Sequence, residues 1–209
     1  SLDDQSLQDG LTHLVQMDLI SQKGEPPHTR WVFKHALIQD AAYQSLLKST
    51  RQQYHRQIAQ VLEEQFLETK ESQPELLAHH YTEAALIAQA LPYWQKAGER
   101  AVQRSTWMEA ISHFTKGLEL LTALADTPER VQQELTLQLA LNLSLAATRG
   151  YTAPEVKKTM IRVQELSQQL GETPQLFPAL FRLYMFDQLR GEFQTAHELA
   201  EQLMRLAQN

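Results

Sequence analysis

Eight histidines carry most of the chemistry available to a 209-residue chain that contains no cysteine. The missing thiols remove disulfides, thiolate nucleophiles and cysteine-ligated zinc together, and fit a reducing, cytoplasmic setting. His79 and His80 are adjacent, about 100° apart on a helix, and His79 shares a face with Glu83 one turn later. His113 with Glu109 and His197 with Glu201 repeat that spacing. A metal needs more ligands than such a pair supplies, and His-Glu-x-x-His does not occur, so no metal site is expected and solvated helix faces explain the pairs. Lys48, Arg51, His55 and Arg56 gather around one helix start and could meet phosphate or an acidic neighbour, although a solvated face accounts for them as well. There is no Gly-x-Ser-x-Gly elbow and no phosphate-cradling G-x-x-x-x-G-K-[ST], and the carboxylates are scattered over polar faces. No catalytic residue and no cofactor of this chain's own are therefore expected.

The elements that position these side chains follow from composition and period. With 7 Gly, 8 Pro and abundant Leu, Ala, Gln and Glu, long helices are favoured over turn-rich sheets. Residues 6–17 place Leu7, Leu11, Leu14 and Val15 on one face behind a possible Ser6 cap, ending near Asp18. Two extended runs, 19–23 and 30–34, flank Gly24, Pro26 and Pro27 and read as a hairpin with a long loop. From His35 onward the pattern is helical, with breaks near Ser49–Thr50, Ser72–Pro74, Ile87–Ala88, Ser105–Thr106, Asp126–Pro128, Gly150–Pro154, Gly171–Pro174 and Gly191. Pro74, Pro128, Pro154 and Pro174 suit first helical turns, and Asp126 or Thr127, Thr152 and Thr173 are candidate caps. No run approaches the ~20 apolar residues of a membrane span, nor does the N-terminus read as a signal peptide. Ser1 in place of an initiator Met suggests a chain cut from something longer.

A 34-residue helix-turn-helix repeat of the tetratricopeptide kind fits the later helices. A register starting at Glu71 places Leu77, Ala78, Tyr81, Ala90, Trp94 and Ala97 at its consensus positions, and one starting at Leu91 places Trp94, Gly98, Ala101, Ala110, Phe114 and Gly117. A weaker fit near the end uses Leu180, Leu183, Ala196, Ala200 and Leu203. Small residues let helix axes approach and aromatics fill the holes beside them, so these positions are core before they are anything else. The expected fold is all-α: a right-handed superhelix of antiparallel helix pairs over 72–209, a connecting helix over 49–71, and a partial winged helix with a short β-hairpin over 1–48. Of the charge of −6, residues 1–60 contribute nothing, with six basic and six acidic residues, so the array carries the acidity and nucleic acid is not expected along it.

Further residues sharpen the reading: Phe33 to Tyr43 with Leu46–Leu47, then Arg51, His55, Ile58–Ala59, Leu77 to Tyr81 with Glu83–Ala84, Tyr93–Trp94 with Ala97–Gly98, Glu109 to Ile111, Glu134–Leu135, Gly150–Tyr151, Pro154 to Val156 and Glu165–Leu166. Together these resemble the segment that follows the nucleotide-binding module in bacterial STAND-type signalling ATPases, including those fused to class III adenylate or guanylate cyclases. The resemblance implies a non-catalytic regulatory module whose concave repeat face takes a protein, peptide or small effector and whose other neighbour is the ATPase domain of the same parent chain. It also implies a role for His35, since related winged helices carry Met-His-Asp after the wing, with the His on the ADP phosphates; here the triplet is Lys34-His35-Ala36, and only the His is kept. An imidazole at a helix N-terminus is well placed to donate to phosphate. The groove candidates are His79, Glu83, Gln95 and Glu99, with Phe181, Met185 and Gln188 toward the other end. The alternative is a DNA-binding regulator using Gln8, Thr12, His13 and Gln16, a helix without Lys or Arg for phosphate.

Overall fold

The structure, a computed structural model, describes residues 4–24, 29–171 and 174–208. Among these residues there are eleven helices and one two-stranded antiparallel hairpin. The chain divides into two compact units, Ser1–Tyr54 and His55–Asn209.

In the first unit, α1 (Asp4–Gln16) leads to β1 (Ile20–Lys23), β2 (Arg30–Phe33) and α2 (Ala36–Ser45). The helix already runs at Asp4, so Ser6 lies inside it and is not its cap. It stops where Asp18 turns to φ 61°, letting the Leu19 amide donate to the Leu14 carbonyl at 3.1 Å. The strands pair from Ile20 with Phe33 to Lys23 with Arg30, and Lys34 forms an ion pair with Asp18. The Pro26 and Pro27 turn lies outside the described residues. Ile20 is the one residue buried among those described here; Leu37 and Leu47 are largely exposed.

α3 (Lys48–Gln65) carries the chain across the boundary. Its first turn includes Ser49 and Thr50, so the expected break there falls instead at Leu46–Leu47. Phe66 leaves helical geometry at φ −121°, ψ 62°, which divides the single connecting helix expected over 49–71 into α3 and α4 (Leu67–Ser72). The remaining helices are α5 (Pro74–Glu83), α6 (Ile87–Gln103), α7 (Trp107–Leu121), α8 (Pro128–Arg149), α9 (Pro154–Gln169), α10 (Leu176–Arg190) and α11 (Phe193–Ala207). From α5 onward each packs chiefly on the next. No described helix is long and apolar enough to cross a membrane.

The helix ends follow local chemistry. Pro74, Pro128 and Pro154 open their helices, where a missing amide hydrogen costs nothing. Thr127 accepts from the Arg130 amide at 3.3 Å and caps α8. Thr152 does not cap α9, because Ala153 occupies that position; Thr173 lies outside the described residues. One turn recurs at three hairpins: one or two residues past the helix, the chain enters the left-handed region at Ala85, Ser105 and Gly191. In each turn the following amide reaches back to the helix, from Leu86 to Tyr81, Thr106 to Ala101 and Glu192 to Asp187, at 2.8 to 2.9 Å.

Part of the core is the large-on-small contacts anticipated from the sequence. Leu77, Ala78, Tyr81, Ala90, Trp94, Ala97, Ala101, Ala110 and Phe114 are all buried. A Cβ on Gly98 would lie 2.3 Å from the Phe114 ring, so α6 and α7 meet at a distance that only glycine allows. Between α8 and α9, buried Glu134 takes a two-point hydrogen bond from Arg162, at 2.6 Å through Nε and 3.1 Å through Nη2.

Phe114→Ala should cost about 3–5 kcal/mol and Gly98→Ala about 1–3 kcal/mol in urea unfolding. Because Gly98 and Phe114 share one space, Gly98→Ala combined with Phe114→Leu should cost less than the sum of Gly98→Ala alone and Phe114→Leu alone; strict additivity would contradict this packing.

Candidate functional site

Two places in the second unit gather chemistry-bearing side chains. The first is a cleft of about 310 Å³ formed by residues of α8, α9, α10 and the α8–α9 turn. Its frame is polar and buried. The Asn142 amide donates to the Val156 carbonyl at 2.9 Å and the Thr159 hydroxyl at 2.7 Å, while its oxygen accepts from Arg182 Nη1 at 3.1 Å. One side chain thereby fixes three helices. Lys157 bridges Asp187 at 2.7 Å and Glu192 at 2.9 Å, and these hydrogen bonds raise its pKa. Asp187 is only 2% exposed, so the pair ties α9 to α10 from within. The Lys157 ammonium also sits 5.2 Å from the centre of the Phe186 ring.

Over this frame stand apolar side chains without cover. Tyr151 and Leu189 are about two-thirds exposed, and Phe181 and Met185 nearly half. Large apolar groups held open around a concavity, with few polar groups convergent on it, are the usual form of a binding site.

The second place is a histidine cluster between α3 and α5. His55 is buried, and its Nδ1 lies 2.8 Å from Nδ1 of His80, so one of the two nitrogens must be protonated and the other not. The ring centroids of His55, His79 and His80 are 5.0 to 5.7 Å apart. Burial holds His80 down to about 4 and His55 below its ordinary value, and the charge of Glu83 opposes both shifts. Beside it, Glu63 accepts from the hydroxyls of Tyr81 and Tyr93 and from Lys70 at 3.3 Å. The two hydroxyls depress its pKa, while burial and Glu63 push both phenols up.

The structure brings some of the expected site residues together and separates others. Phe181 and Met185 share the cleft, whereas Gln188 is not among its lining residues and gives its carbonyl to the Gly191 amide. His79 joins His80 and His55, with Glu83 close enough to act on them. Gln95 and Glu99 pair with each other at 2.7 Å along α6. His35 stands at the N-terminus of α2, in extended geometry and exposed. The solvated reading of His55 fails because it points at other histidines; that of His113 fails because its ring stacks on Trp94 at 5.5 Å. His197 and Glu201 do lie on a solvated face, 3.5 Å apart. The burial of His55, though not its meeting with other histidines, was available in the sequence: with Ala59 and Leu62 it forms an i, i+4, i+7 stripe toward the core. Asn142 and Asp187 carry no local signal, since their partners come from other helices.

No protein-family model matches the chain. It is similar to an uncharacterized protein of Rhizobium meliloti (strain 1021), 23% identical over 189 residues, which takes in 90% of this chain and 18% of that protein. The chain thus spans less than a fifth of the length of the relative it matches.

Burial keeps His80, His55 and His113 below the ordinary histidine value of 6.5. The unfolded chain therefore binds more protons than the folded one between 6.5 and about 4, and stability is full above that window and falls as pH drops through it. Depressed carboxylates such as Glu63 add to the loss only below 4.5. Urea midpoints measured in the presence of a chelator should decrease from about pH 7.5 to 5.5 to 4.5; a midpoint that rises on acidification would contradict the burial of these rings.

Proposed function

We propose that this chain is a non-catalytic interaction and regulatory module of a multidomain bacterial signalling ATPase, and that it takes an apolar side chain of a protein or peptide partner in the cleft between α8, α9 and α10. The observation that carries the reading is the exposed set of Tyr151, Phe181, Met185 and Leu189 above a frame fixed by Asn142 and the Lys157–Asp187 pair. A volume of about 310 Å³ is at the small end of ligand pockets and suits an aromatic or leucine anchor. Arg182 at its edge favours a carboxylate beside that anchor. Met185, unbranched and polarizable, can adjust to more than one anchor shape.

The regulatory part of the proposal rests on the resemblance of the sequence and on two further features. The recurrent left-handed turn at Ala85, Ser105 and Gly191 suits an array of helix hairpins, in which neighbours stack one on the next. The relative from Rhizobium meliloti is several times longer than the stretch it shares, as a multidomain parent would be. In such a parent, His35 at the start of α2 would contact the nucleotide phosphates, and partner binding would act by favouring one of two states of the ATPase. DNA binding through α1 has less behind it: Thr12 already donates to the Gln8 carbonyl, and no Lys or Arg lies on the helix.

Peptides selected from a displayed random library on this chain should share an aromatic or leucine anchor next to Asp or Glu. Phe181→Glu and Met185→Glu should each weaken the selected peptides by about 1–3 kcal/mol with little change in melting temperature, since both side chains are already half exposed. Peptides that bind both variants as well as the parent chain would remove the cleft from the account, as would tight sequence-dependent DNA binding in a low-salt gel shift.

A further inference from the structure

The histidine cluster is not used by the proposed partner site, and its residues belong to α3 and α5, which take no part in forming the cleft. Each of His55, His79 and His80 offers a ring nitrogen, and the three nitrogens lie within 4.8 Å of one another. Nδ1 of His55 and Nδ1 of His80 face each other at 2.8 Å. Imidazole nitrogens bound to zinc at about 2.0–2.1 Å in tetrahedral geometry are roughly 3.4 Å apart. A contact of 2.8 Å within a set no wider than 4.8 Å is close to that spacing, so the three rings already stand near the arrangement an ion would require.

We infer that His55, His79 and His80 form a binding site for a divalent transition-metal ion of the zinc type, with the fourth coordination position left to Glu83 or water. Histidine ligates as the neutral imidazole, and burial keeps His80 and His55 in that form at neutral pH, so no net proton has to leave: whichever Nδ1 donates in the His55–His80 hydrogen bond needs only to pass its hydrogen to Nε2 of the same ring. Three imidazoles cannot all carry charge at such separations, whereas one dication shared by three lone pairs can be accommodated beside the Glu83 carboxylate. The exposed His79 gives the ion a path from solvent, while buried His55 supplies the dry side of the site. His55 precedes His80 by 25 residues, so the ion would clamp α3 to α5 at the start of the second unit. A site of this kind couples metal to fold: the ion binds the folded chain and stabilises it by mass action.

The test uses tag-free chain titrated with Zn²⁺ in a calorimeter and with Co²⁺ by visible absorption. One equivalent should bind, Co²⁺ should give the intense visible bands of a low-coordinate site, and Zn²⁺ should raise the melting temperature. His79→Ala should weaken zinc binding by at least about tenfold, the loss caused by changes even one shell further out, and should abolish the thermal shift. The exposed His197→Ala, as a control, should do neither. His79→Gln serves if the alanine variant lowers the metal-free melting temperature. Failure of the unmodified chain to bind Zn²⁺ stoichiometrically at micromolar concentration would overturn the inference, and so would His79 variants that bind as tightly as the parent.

Discussion

The second unit depends on one constraint: from α5 onward, each helix finds the cover for its apolar stripe chiefly on its neighbours in sequence. Short turns keep consecutive helices closest to one another, so their approach sets most of the distances that matter locally. Gly98 against Phe114 is the tightest case, because one added carbon would force α6 and α7 apart. The same locality explains why the cleft belongs to α8, α9 and α10 alone, and why the histidine cluster belongs to α3 and α5.

Burying polar groups between such helices costs free energy unless each group is paired, and the chain pairs several of its buried groups across helix boundaries. Asn142 spends its amide on α9 and its oxygen on α10. Glu134 holds Arg162, Asp187 holds Lys157, and Glu63 holds two tyrosines. These contacts specify register: a one-turn slip would leave a buried charge or amide alone, whereas a slip of purely apolar faces would cost much less. A fixed register is what allows Phe181 and Met185 to remain open at the surface without the cleft collapsing around them.

The core was legible from the sequence because alternation of large and small residues at helical spacing is a local signal. Trp94, Phe114, Gly98 and Ala110 could be placed from it, as could the turns at Pro128, Gly150 and Gly191. The cleft was half legible. Phe181 and Met185 lie one turn apart on α10 and were found, but the period that chose Gln188 carries it past the rim, to where its carbonyl closes the helix end. Tyr151 was visible only as part of a turn, and Asn142 not at all, because an asparagine within a leucine-rich helix does not reveal which helix will satisfy it. His55 was read as one of a basic group at a helix start; its meeting with His79 and His80 is set by how α3 lies against α5, which residue spacing along either helix does not encode.

In the proposed function the α8–α10 cleft takes an apolar anchor flanked by acid. Five methionines make it directly measurable, since Met160 and Met185 line the cleft while Met108 and Met204 are exposed elsewhere. With ¹³C-labelled methionine methyls, titration with an acetylated Asp-Phe-Asp peptide should move the Met160 and Met185 resonances together along one binding curve and leave Met108 and Met204 in place. Movement of Met108 or Met204 alone, or no movement up to the solubility limit of the peptide, would contradict it.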